Sequence, residues 1–406
     1  PLWVDARSGG PDEVARRVVE ARRWAELAQP AGWVLAPERA VPVLVGRSLL
    51  GRLGEVASLL AERHGLGGTA LVVSDGAVPA LAARAAAALE RGGWRVARAE
   101  VGPGEPAKSL ESVARLYRLA AEAQLDRSGL VVAVGGGATL DAAGFMAATY
   151  MRGVAWVAVP TTLLAQVDAA IGGKTAVNVP EAKNLVGAFH QPLAVVADLE
   201  ALEGLPARQV AAGMAEVVKH GLVGDPRLWE MLAGDGAPPA PPGDVRALPL
   251  EVVARAAAVK ALIVSEDPWE RGRRVVLNFG HTTAHALEVA GGLQRWLHGE
   301  AVAIGMVTAA MLSSRLGLLR EPELVARLAD ALRRLGLPVD AGPRPPEAEL
   351  LWRLMGADKK KQAGRRRWVL LEAPGRAAAV ADAVDEALFA AVWREQHRLP
   401  GEEAAG

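Results

Sequence analysis

Three of the seven histidines lie within eighteen residues of one another, and their spacing is compatible with one metal site. His281 and His285 are four residues apart, so they share one face of a helix, and His298 follows soon after. Glu216 lies in an otherwise apolar segment, where a buried carboxylate is costly without a cation. Two histidines and one glutamate form a common catalytic zinc set with open coordination positions. Paired histidines at this spacing are also typical of structural or solvent-facing positions, so that alternative stays open.

A run of three glycines, Gly135 to Gly137, follows an apolar segment and opens a helical stretch that carries Asp141. Glycine lets the backbone approach a phosphate closely, and a helix N-terminus supplies free N–H groups. The run lacks the GxGxxG spacing of dinucleotide-binding loops, so a tight strand–helix turn is the alternative interpretation. Residues 172–175 are not a nucleotide-triphosphate loop, because that motif requires glycine where Asp168 stands.

Several basic residues occur among apolar or small neighbours, where a buried cation needs a partner. If they converged on one site, they would suit a small polyanion that bears phosphate and carboxylate groups. Taken singly, each is better interpreted as an ordinary surface charge. These residues are Arg152, Lys174, Lys183, Lys219, Lys260 and Arg274.

Composition limits the classes of partner. The 406 residues are 51% apolar and 23% charged, as in a globular protein of two domains. The net charge is zero, which disfavours nucleic acid and anionic membranes, and the basic run at residues 358–367 is interpreted as a solvated loop. Without cysteine, any metal must be bound by His, Asp or Glu. No apolar run reaches the roughly 20 residues of a membrane span, and no signal peptide is evident, which predicts a cytoplasmic protein.

The elements that would position these residues change character along the chain. Short apolar runs predict buried strands at residues 43–45, 69–74, 94–101, 130–134, 154–159 and 194–197. Helical periodicity separates them at residues 79–91 and 106–123. This alternation indicates a mostly parallel sheet covered on both faces. Beyond about residue 206, helices are predicted at residues 209–219, 250–264, 282–290 and 300–316, with a strand only at residues 368–371. The predicted divisions are an extension (1–40), an NAD-binding α/β domain (41–206) and a helical metal- and substrate-binding domain (207–406).

Six sequence blocks resemble, in order, the signature motifs of the 3-dehydroquinate synthase family. They are GGGxxxDxxGFxAxxYxRG (135–153), VPTTLLAQVDAAIGGKTAVN (159–178), KNLVGAFHQP (183–192), GMAEVVKHG (213–221), LNFGHTTAHALE (277–288) and LHGEAVAIGM (297–306). The resemblance extends from about residue 40 to about residue 390. It implies a Rossmann-like parallel-sheet α/β domain followed by an all-α C-terminal domain. One departure is that Thr283 and Ala284 stand where the family commonly has Phe and Gly.

The resemblance also implies roles for individual residues. Glu216, His281 and His298 would bind zinc or cobalt. NAD would contact Asp75, Glu105, Lys108, Gly136, Gly137, Asp141, Thr161, Thr162 and Lys183. The substrate's phosphate and carboxylate would meet Arg152, Lys174, Asn184, Lys219, Lys260, Arg274 and Asn278. Asp168 and His285 would lie near the reacting hydroxyls, Lys359 or Lys360 would complete the anion site, and Glu270 would be a proton acceptor.

The implied reaction belongs to the shikimate pathway, which leads to the aromatic amino acids. It converts 3-deoxy-D-arabino-heptulosonate 7-phosphate to 3-dehydroquinate and phosphate. The steps are NAD-mediated oxidation, phosphate elimination, reduction and intramolecular aldol closure. The family also implies a homodimer. Residues 1–22 resemble the last strand and helix of a shikimate kinase, which implies a kinase–synthase fusion; a private extension is the alternative.

Three other functions are alternatives to this one. Another sugar-phosphate cyclase would act on a substrate that has no carboxylate. By the resemblance, such cyclases change some of four positions at which this sequence keeps the synthase residues: Lys260, Arg274, Asn278 and His285. An NAD- and metal-dependent polyol dehydrogenase would accumulate NADH, and the GGK and KN blocks argue against it. A non-catalytic scaffold would tolerate the loss of Glu216 or His281 without any effect on phosphate release.

Overall fold

The computed structural model describes residues 23–27, 29–36, 39–180, 182–234, 245–359 and 367–397. Contacts divide the chain into two compact units. The first consists of Pro1–Leu205 with Pro249–Trp269, and the second of Pro206–Leu248 with Glu270–Gly406. Residues 1–22, which resemble a kinase tail, lie outside the described residues, so that resemblance stays a prediction.

The first unit is built on a seven-stranded sheet with the order β1-β2-β9-β6-β5-β3-β4. All neighbours pair in parallel except β1, which pairs antiparallel with β2. The central strands are buried along their whole length, because Val, Ala and Leu fill both faces of a sheet that helices cover. All six predicted strands are present. The strands are β1 (Gln29–Ala36), β2 (Arg39–Gly46), β3 (Thr69–Asp75), β4 (Arg95–Val101), β5 (Leu130–Gly135), β6 (Ala155–Pro160) and β9 (Ala194–Asp198).

Two features of this unit were absent from the sequence prediction. Strand β1 falls inside the predicted N-terminal extension, where Pro30 and Gly32 hide its pattern and accompany a register shift. An antiparallel hairpin of β7 (Lys174–Val179) and β8 (Ala182–Phe189) follows β6. Most residues of β8 are exposed, so its sequence lacks the buried alternation that reveals a strand.

Four α-helices connect strands within the described residues of the first unit. Pro79 suits the first position of the helix Pro79–Arg91. The hydroxyl of Ser109 caps the helix Leu110–Glu122 by accepting from Ser112 N at 3.1 Å. These helices are α1 (Leu53–His64), α2 (Pro79–Arg91), α3 (Leu110–Glu122) and α4 (Gly137–Thr149).

The helix predicted at residues 250–264 is present as α7 (Leu250–Glu266), but it belongs to the first unit. It packs on β1: Ser265 Oγ accepts from Leu35 N at 2.8 Å and donates to Trp33 O at 3.3 Å. A Cβ at Gly32 would lie 3.6 Å from Ala261 Cβ, so backbone and helix are in close contact. A boundary placed once at residue 206 could not anticipate this return of the chain to the sheet.

The second unit is mainly helical. Its helices are α5 (Ala207–Gly224), α6 (Pro226–Ala233), α8 (His281–Ala290), α9 (His298–Arg315), α10 (Leu324–Arg334), α11 (Ala348–Lys359) and α12 (Glu386–Gln396). It also contains a two-stranded ribbon of β10 (Arg367–Ala373) and β11 (Arg376–Ala381), so the prediction of an all-α domain needs that small correction. None of the helices in the described part of the chain has both the length and the hydropathy to cross a membrane.

Close helix packing in the second unit depends on two glycines of α9. A Cβ at Gly299 would lie 1.9 Å from the carbonyl oxygen of Ala212 on α5. A Cβ at Gly305 would lie 2.1 Å from the carbonyl oxygen of Gly280, directly before α8. These contacts are far below van der Waals distance, so only glycine permits α9 to approach both helices. The first residue of α9, His298, is thereby brought against α5.

Candidate active site

Glu216, His281 and His298 form a compact cluster of possible metal ligands in the second unit. Glu216 lies on α5 and is only 1% exposed, while His281 and His298 are the first residues of α8 and α9. Glu216 Oε1 lies 3.7 Å from His281 Nε2 and 3.6 Å from His298 Nε2. The possible ligand atoms of the three residues all lie within 4.8 Å of one another.

This donor set fits a divalent metal. Four ligands placed tetrahedrally at zinc's usual bond lengths are about 3.4 Å apart, close to the two distances measured from Oε1. The other ring nitrogens have acceptors: Phe279 O lies 3.2 Å from His281 Nδ1, and Glu288 Oε1 lies 3.3 Å from His298 Nδ1. Since these oxygens only accept, both rings carry Nδ1–H and present Nε2 to the cluster. Lys219, which is 1% exposed, forms an ion pair with Glu216 Oε2.

The two metal-site histidines differ in protonation when no metal is bound. Burial opposes charge on His298, but hydrogen bonds and charges from Glu216 and Glu288 outweigh burial and raise its pKa to about 10. For His281, burial and the Lys219 ammonium lower the pKa well below the ordinary value. The metal-free cluster therefore holds one imidazolium, at His298, and one neutral imidazole, at His281.

Four further residues with implied roles lie in the second unit. The ring of His285 lies 5.6 Å from that of His281 and 6.5 Å from that of His298, centroid to centroid. Arg274 and Asn278 lie in the short 3-10 helix Arg273–Asn278 immediately before α8, and Arg274 is 2% exposed. Glu270 adopts a left-handed backbone with φ of 56°. Arg274 and Asn278, which are expected to bind substrate anions, therefore lie close in the chain to the histidines of α8.

The first unit gathers the expected cofactor residues at the carboxyl ends of its strands. Asp75 ends β3, Gly135 ends β5, and Thr161 and Thr162 directly follow β6. Strands β4 and β5 flank β3 on opposite sides, so the chain reverses its direction across the sheet between β3 and β5. In open α/β sheets ligands bind at such a switch point, outside the carboxyl ends of the strands.

The glycine turn between β5 and α4 fits a dinucleotide phosphate. A Cβ at Gly136 would lie 3.2 Å from Thr162 Cγ2, and a Cβ at Gly137 would lie 3.3 Å from Ala169 Cβ. Both positions are therefore tight for a side chain, and they lie at the N-terminus of a thirteen-residue helix, where N–H groups and the helix dipole favour an anion. The tight-turn alternative and the phosphate-binding interpretation therefore describe the same segment, and its position at the switch point favours phosphate.

Lys108 connects residues from three segments of the first unit. Its side chain is almost fully buried, and its Nζ lies 2.5 Å from Asp141 Oδ2 on α4. Nζ also donates to Asn184 Oδ1 on β8. Burial raises the pKa of Asp141, and the Lys108 ammonium opposes that rise. Lys108, which is expected to bind NAD, thus bonds directly both to Asp141, expected to bind NAD, and to Asn184, expected to bind substrate.

Lys260 and Asp168 form a second charged pair in this unit. Lys260 Nζ on α7 donates to Asp168 Oδ1 at 2.7 Å, and the two side chains are 9% and 23% exposed. Three other expected basic residues, Arg152, Lys174 and Lys183, are exposed. Arg152 has a left-handed backbone with φ of 68°, as residues at functional sites often do.

Two residues that contact these clusters were not singled out from the sequence. Glu288 lies three residues beyond His285 and seven beyond His281, so its helical spacing could have revealed it. Asn178 bonds to both Glu105 and Asn184, a relationship that depends on the unpredicted β7–β8 hairpin. Lys359 ends α11, whereas Lys360 lies outside the described residues.

Comparison with known proteins gives consistent results. Models of the N-terminal and C-terminal regions of 3-dehydroquinate synthase match residues 98–212 and 213–361. A 3-dehydroquinate synthase of Symbiobacterium thermophilum is 46% identical over 364 residues, covering 86% of this chain and 96% of the relative. ValA, a 2-epi-5-epi-valiolone synthase of Streptomyces hygroscopicus solved with NAD+ and Zn2+, superposes with a TM-score of 0.77 at 30% identity, covering 89% of this chain and 98% of ValA. A 2-deoxy-scyllo-inosose synthase solved with carbaglucose-6-phosphate, NAD+ and Co2+ gives a TM-score of 0.74 at 28% identity, covering 89% and 99%.

A parallel-sheet α/β unit followed by a helical unit is the architecture of the dehydroquinate synthase-like cyclases. Within that class, the chain belongs to the 3-dehydroquinate synthase family, a family of lyases. The family and fold class inferred from the sequence motifs are confirmed.

Proposed function

We propose that this protein converts 3-deoxy-D-arabino-heptulosonate 7-phosphate to 3-dehydroquinate and inorganic phosphate. The observation that carries the proposal is the cluster of Glu216, His281 and His298, in which two Nε2 atoms face one buried carboxylate oxygen. A scaffold protein would have no use for a buried carboxylate beside two oriented imidazoles. In a member of this family, such a cluster supports metal-assisted chemistry on a polyhydroxy substrate.

Two cofactors fit the residues present. Glu216, His281 and His298 would hold a divalent zinc or cobalt ion, and the Gly135–Gly137 turn with Asp75, Thr161 and Thr162 would hold NAD. When bound, NAD supplies reversible hydride acceptance, and the metal supplies Lewis-acid polarisation of an alcohol oxygen. Because the proposed overall conversion is redox-neutral, it would consume no net NAD.

The chain's own residues bind and orient the substrate. Buried Lys219 forms an ion pair with Glu216 of the cluster, and buried Arg274 lies seven residues before His281 in the chain. Cationic groups stabilise the charge that develops on phosphate as its C–O bond breaks. Lys260, whose ammonium donates to Asp168, would supply a further cation for an anionic oxygen. The exposed Arg152, Lys174 and Asn184 complete the proposed anion-binding set.

Recognition of the substrate carboxylate distinguishes this reaction from those of related cyclases. We assign that recognition to Lys260, Arg274 and Asn278, with His285 near the reacting hydroxyls. Arg274 carries a planar guanidinium, which pairs with a carboxylate through two parallel hydrogen bonds. Substrates such as sedoheptulose 7-phosphate have no carboxylate to form these two hydrogen bonds.

The test is release of inorganic phosphate by the purified protein from three sugar phosphates. Each is supplied with and without NAD and with and without a strong chelator, and absorbance at 340 nm reports NADH. We expect phosphate release only from the heptulosonate phosphate. That release should require NAD and should be lost with the chelator, and NADH should not accumulate. Release from sedoheptulose 7-phosphate or glucose 6-phosphate alone would indicate another cyclase. Steady accumulation of NADH without phosphate would indicate a polyol dehydrogenase.

We further propose that the protein works as a homodimer in the cytoplasm. Both proposals rest on family membership, and the absence of a membrane-crossing helix among the described residues is compatible with them. Light scattering during size-exclusion chromatography distinguishes a mass of about twice 42.4 kDa from the mass of one chain.

A further inference from the structure

Asn178 joins three segments of the first unit through three hydrogen bonds. Its Nδ2 donates to Glu105 Oε2 at 2.6 Å, and its Oδ1 accepts from Asn184 N at 3.0 Å. Its backbone N–H donates to Lys108 O at 2.8 Å. A carboxylate only accepts and a backbone N–H only donates, so these partners fix the orientation of the side-chain amide.

The hairpin frees Asn178 for this role. Val177 pairs with Val186, whereas Val179 pairs with Ala182, so the register shifts at the residue between them. An irregularity of this kind releases one residue from the ladder and redirects its side chain. The polar groups of Asn178 are therefore free of the strand ladder and form hydrogen bonds to neighbouring segments.

The residue that Asn178 supports adopts an uncommon backbone conformation. Asn184 has φ of 57°, in the left-handed region, which asparagine adopts more readily than most residues but which still needs local support. The bond from its N–H to Asn178 Oδ1 provides that support. In this conformation its own side-chain oxygen accepts from Lys108 Nζ, which also pairs with Asp141.

We infer that Asn178 is a positioning residue that holds the cofactor-facing segment of Glu105 and Lys108 and the substrate-facing Asn184 in one arrangement. The inference rests on the proposed function, because it uses the roles given there to Glu105, Lys108 and Asn184. Asn178 itself is assigned no contact with either ligand. Its two side-chain bonds position residues for different ligands. The bond to Glu105 positions a residue that would bind the cofactor, and the bond to Asn184 positions one that would bind the substrate.

Two substitutions separate these bonds. Asn178→Ala removes both side-chain bonds and keeps the backbone bond to Lys108. Asn178→Asp keeps an acceptor for Asn184 N–H but places a second carboxylate against Glu105, where like charges repel. We expect the alanine variant to raise both the Kd for NAD+ and the KM for substrate about tenfold, the size of effect that loss of a hydrogen bond to a charged or ligand-binding group produces. The aspartate variant should raise the Kd for NAD+ similarly and change the KM less than about twofold.

Thr175→Val is the matched control on the same hairpin. It removes the 2.9 Å bond from Thr175 Oγ1 to Ala188 O, which stabilises the hairpin without contacting Glu105, Lys108 or Asn184. We expect it to lower the thermal midpoint about as much as Asn178→Ala while leaving the Kd and KM unchanged. This comparison separates positioning from hairpin stability.

The experiment measures NAD+ binding by calorimetry, phosphate-release kinetics and thermal unfolding for the full chain and the three variants. The inference is overturned if Asn178→Ala behaves like Thr175→Val, with a lower midpoint and unchanged constants. It is also overturned if Asn178→Asp raises the KM as much as Asn178→Ala does. Absence of phosphate release by the unsubstituted protein would instead contradict the proposed function, and the NAD+ affinities would still decide the cofactor half of the inference.

Discussion

Glu288 Oε1 lies 3.3 Å from His298 Nδ1, and the opposite nitrogen of that ring, Nε2, lies 3.6 Å from Glu216 Oε1. The imidazole is therefore held between two carboxylates, one in the ligand cluster and one behind it. A carboxylate behind a ligating histidine fixes the ring's orientation and tautomer and raises its basicity.

The first prediction concerns this carboxylate. Glu288→Gln keeps the size of the side chain but removes its charge, so metal affinity should fall about 10- to 100-fold. Competition between the protein and a chelator of known affinity measures the loss without reference to activity. Glu395→Gln is the control, because Glu395 pairs with Arg315 on the exposed surface. Equal metal affinity for the Glu288 variant and the unsubstituted protein would contradict the role assigned to Glu288.

The second prediction is that metal binding releases a proton. In the metal-free protein the pKa of His298 is raised to about 10, so the ring is protonated at neutral pH, whereas a ligating ring must be neutral. Metal affinity should therefore rise about tenfold per pH unit between pH 7 and 9. Calorimetry in two buffers of different ionisation enthalpy counts the protons released per metal ion. An affinity independent of pH over this range would contradict the prediction.

The third prediction concerns Thr283, one of the departures from the family motif. Its side chain is fully buried, and its hydroxyl has no hydrogen-bond partner among the described residues. Thr283→Val should therefore increase the free energy of unfolding by about 1 kcal/mol, because it removes an unsatisfied polar group without changing shape.

Thr308→Val is the matched control for that measurement. Thr308 is equally buried, but its hydroxyl contacts Gln396 Oε1 at 2.7 Å and Ile304 O at 3.1 Å, so its replacement should lower the free energy of unfolding. Chemical denaturation of the metal-free protein measures both changes. A loss of stability in both variants would show that the Thr283 hydroxyl is satisfied.

The fourth prediction concerns the approach of α9 to α5. Gly299→Ala places a methyl carbon 1.9 Å from Ala212 O, so α9 must shift and carry His298 away from Glu216. We expect a loss of several kcal/mol of stability, about 3 kcal/mol or more, together with loss of tight metal binding. Gly51→Ala, at an open position, is the control and should change neither. Normal metal binding by the Gly299 variant would contradict the packing described here.

Most of the fold followed from sequence periodicity, because a buried strand or helix must show its apolar spacing. Strands such as Thr69–Asp75 and Leu130–Gly135 bury every face and are easily recognised. The β7–β8 hairpin escaped notice because β8 is exposed and pairs through its backbone, which leaves no mark on side-chain pattern. The placement of α7 with the sheet depends on contacts between residues far apart in the chain, such as Leu35 with Ser265.

Site residues could be predicted from the sequence where a family motif contains them. Those that only a contact in the folded chain identifies could not be predicted. Glu216, His281 and His298 were named from the family motifs, and the structure places them together. Glu288 was missed although its spacing from His281 is helical. Asn178 could not be found by spacing, because its partner Glu105 lies 73 residues away. The roles of Lys108 and Asn184 were named, but their direct bond required the folded hairpin.

The measurement that tests the central claim most directly compares the unsubstituted protein with Glu216→Gln after both have been supplied with zinc or cobalt and NAD. Bound metal and phosphate release from 3-deoxy-D-arabino-heptulosonate 7-phosphate are determined on the same samples. The account predicts one metal ion per chain and NAD-dependent release for the unsubstituted protein, and loss of both for the variant while its circular dichroism is unchanged. Phosphate release by the variant at the unsubstituted rate, with no metal bound, would contradict the claim that this cluster is the catalytic metal centre.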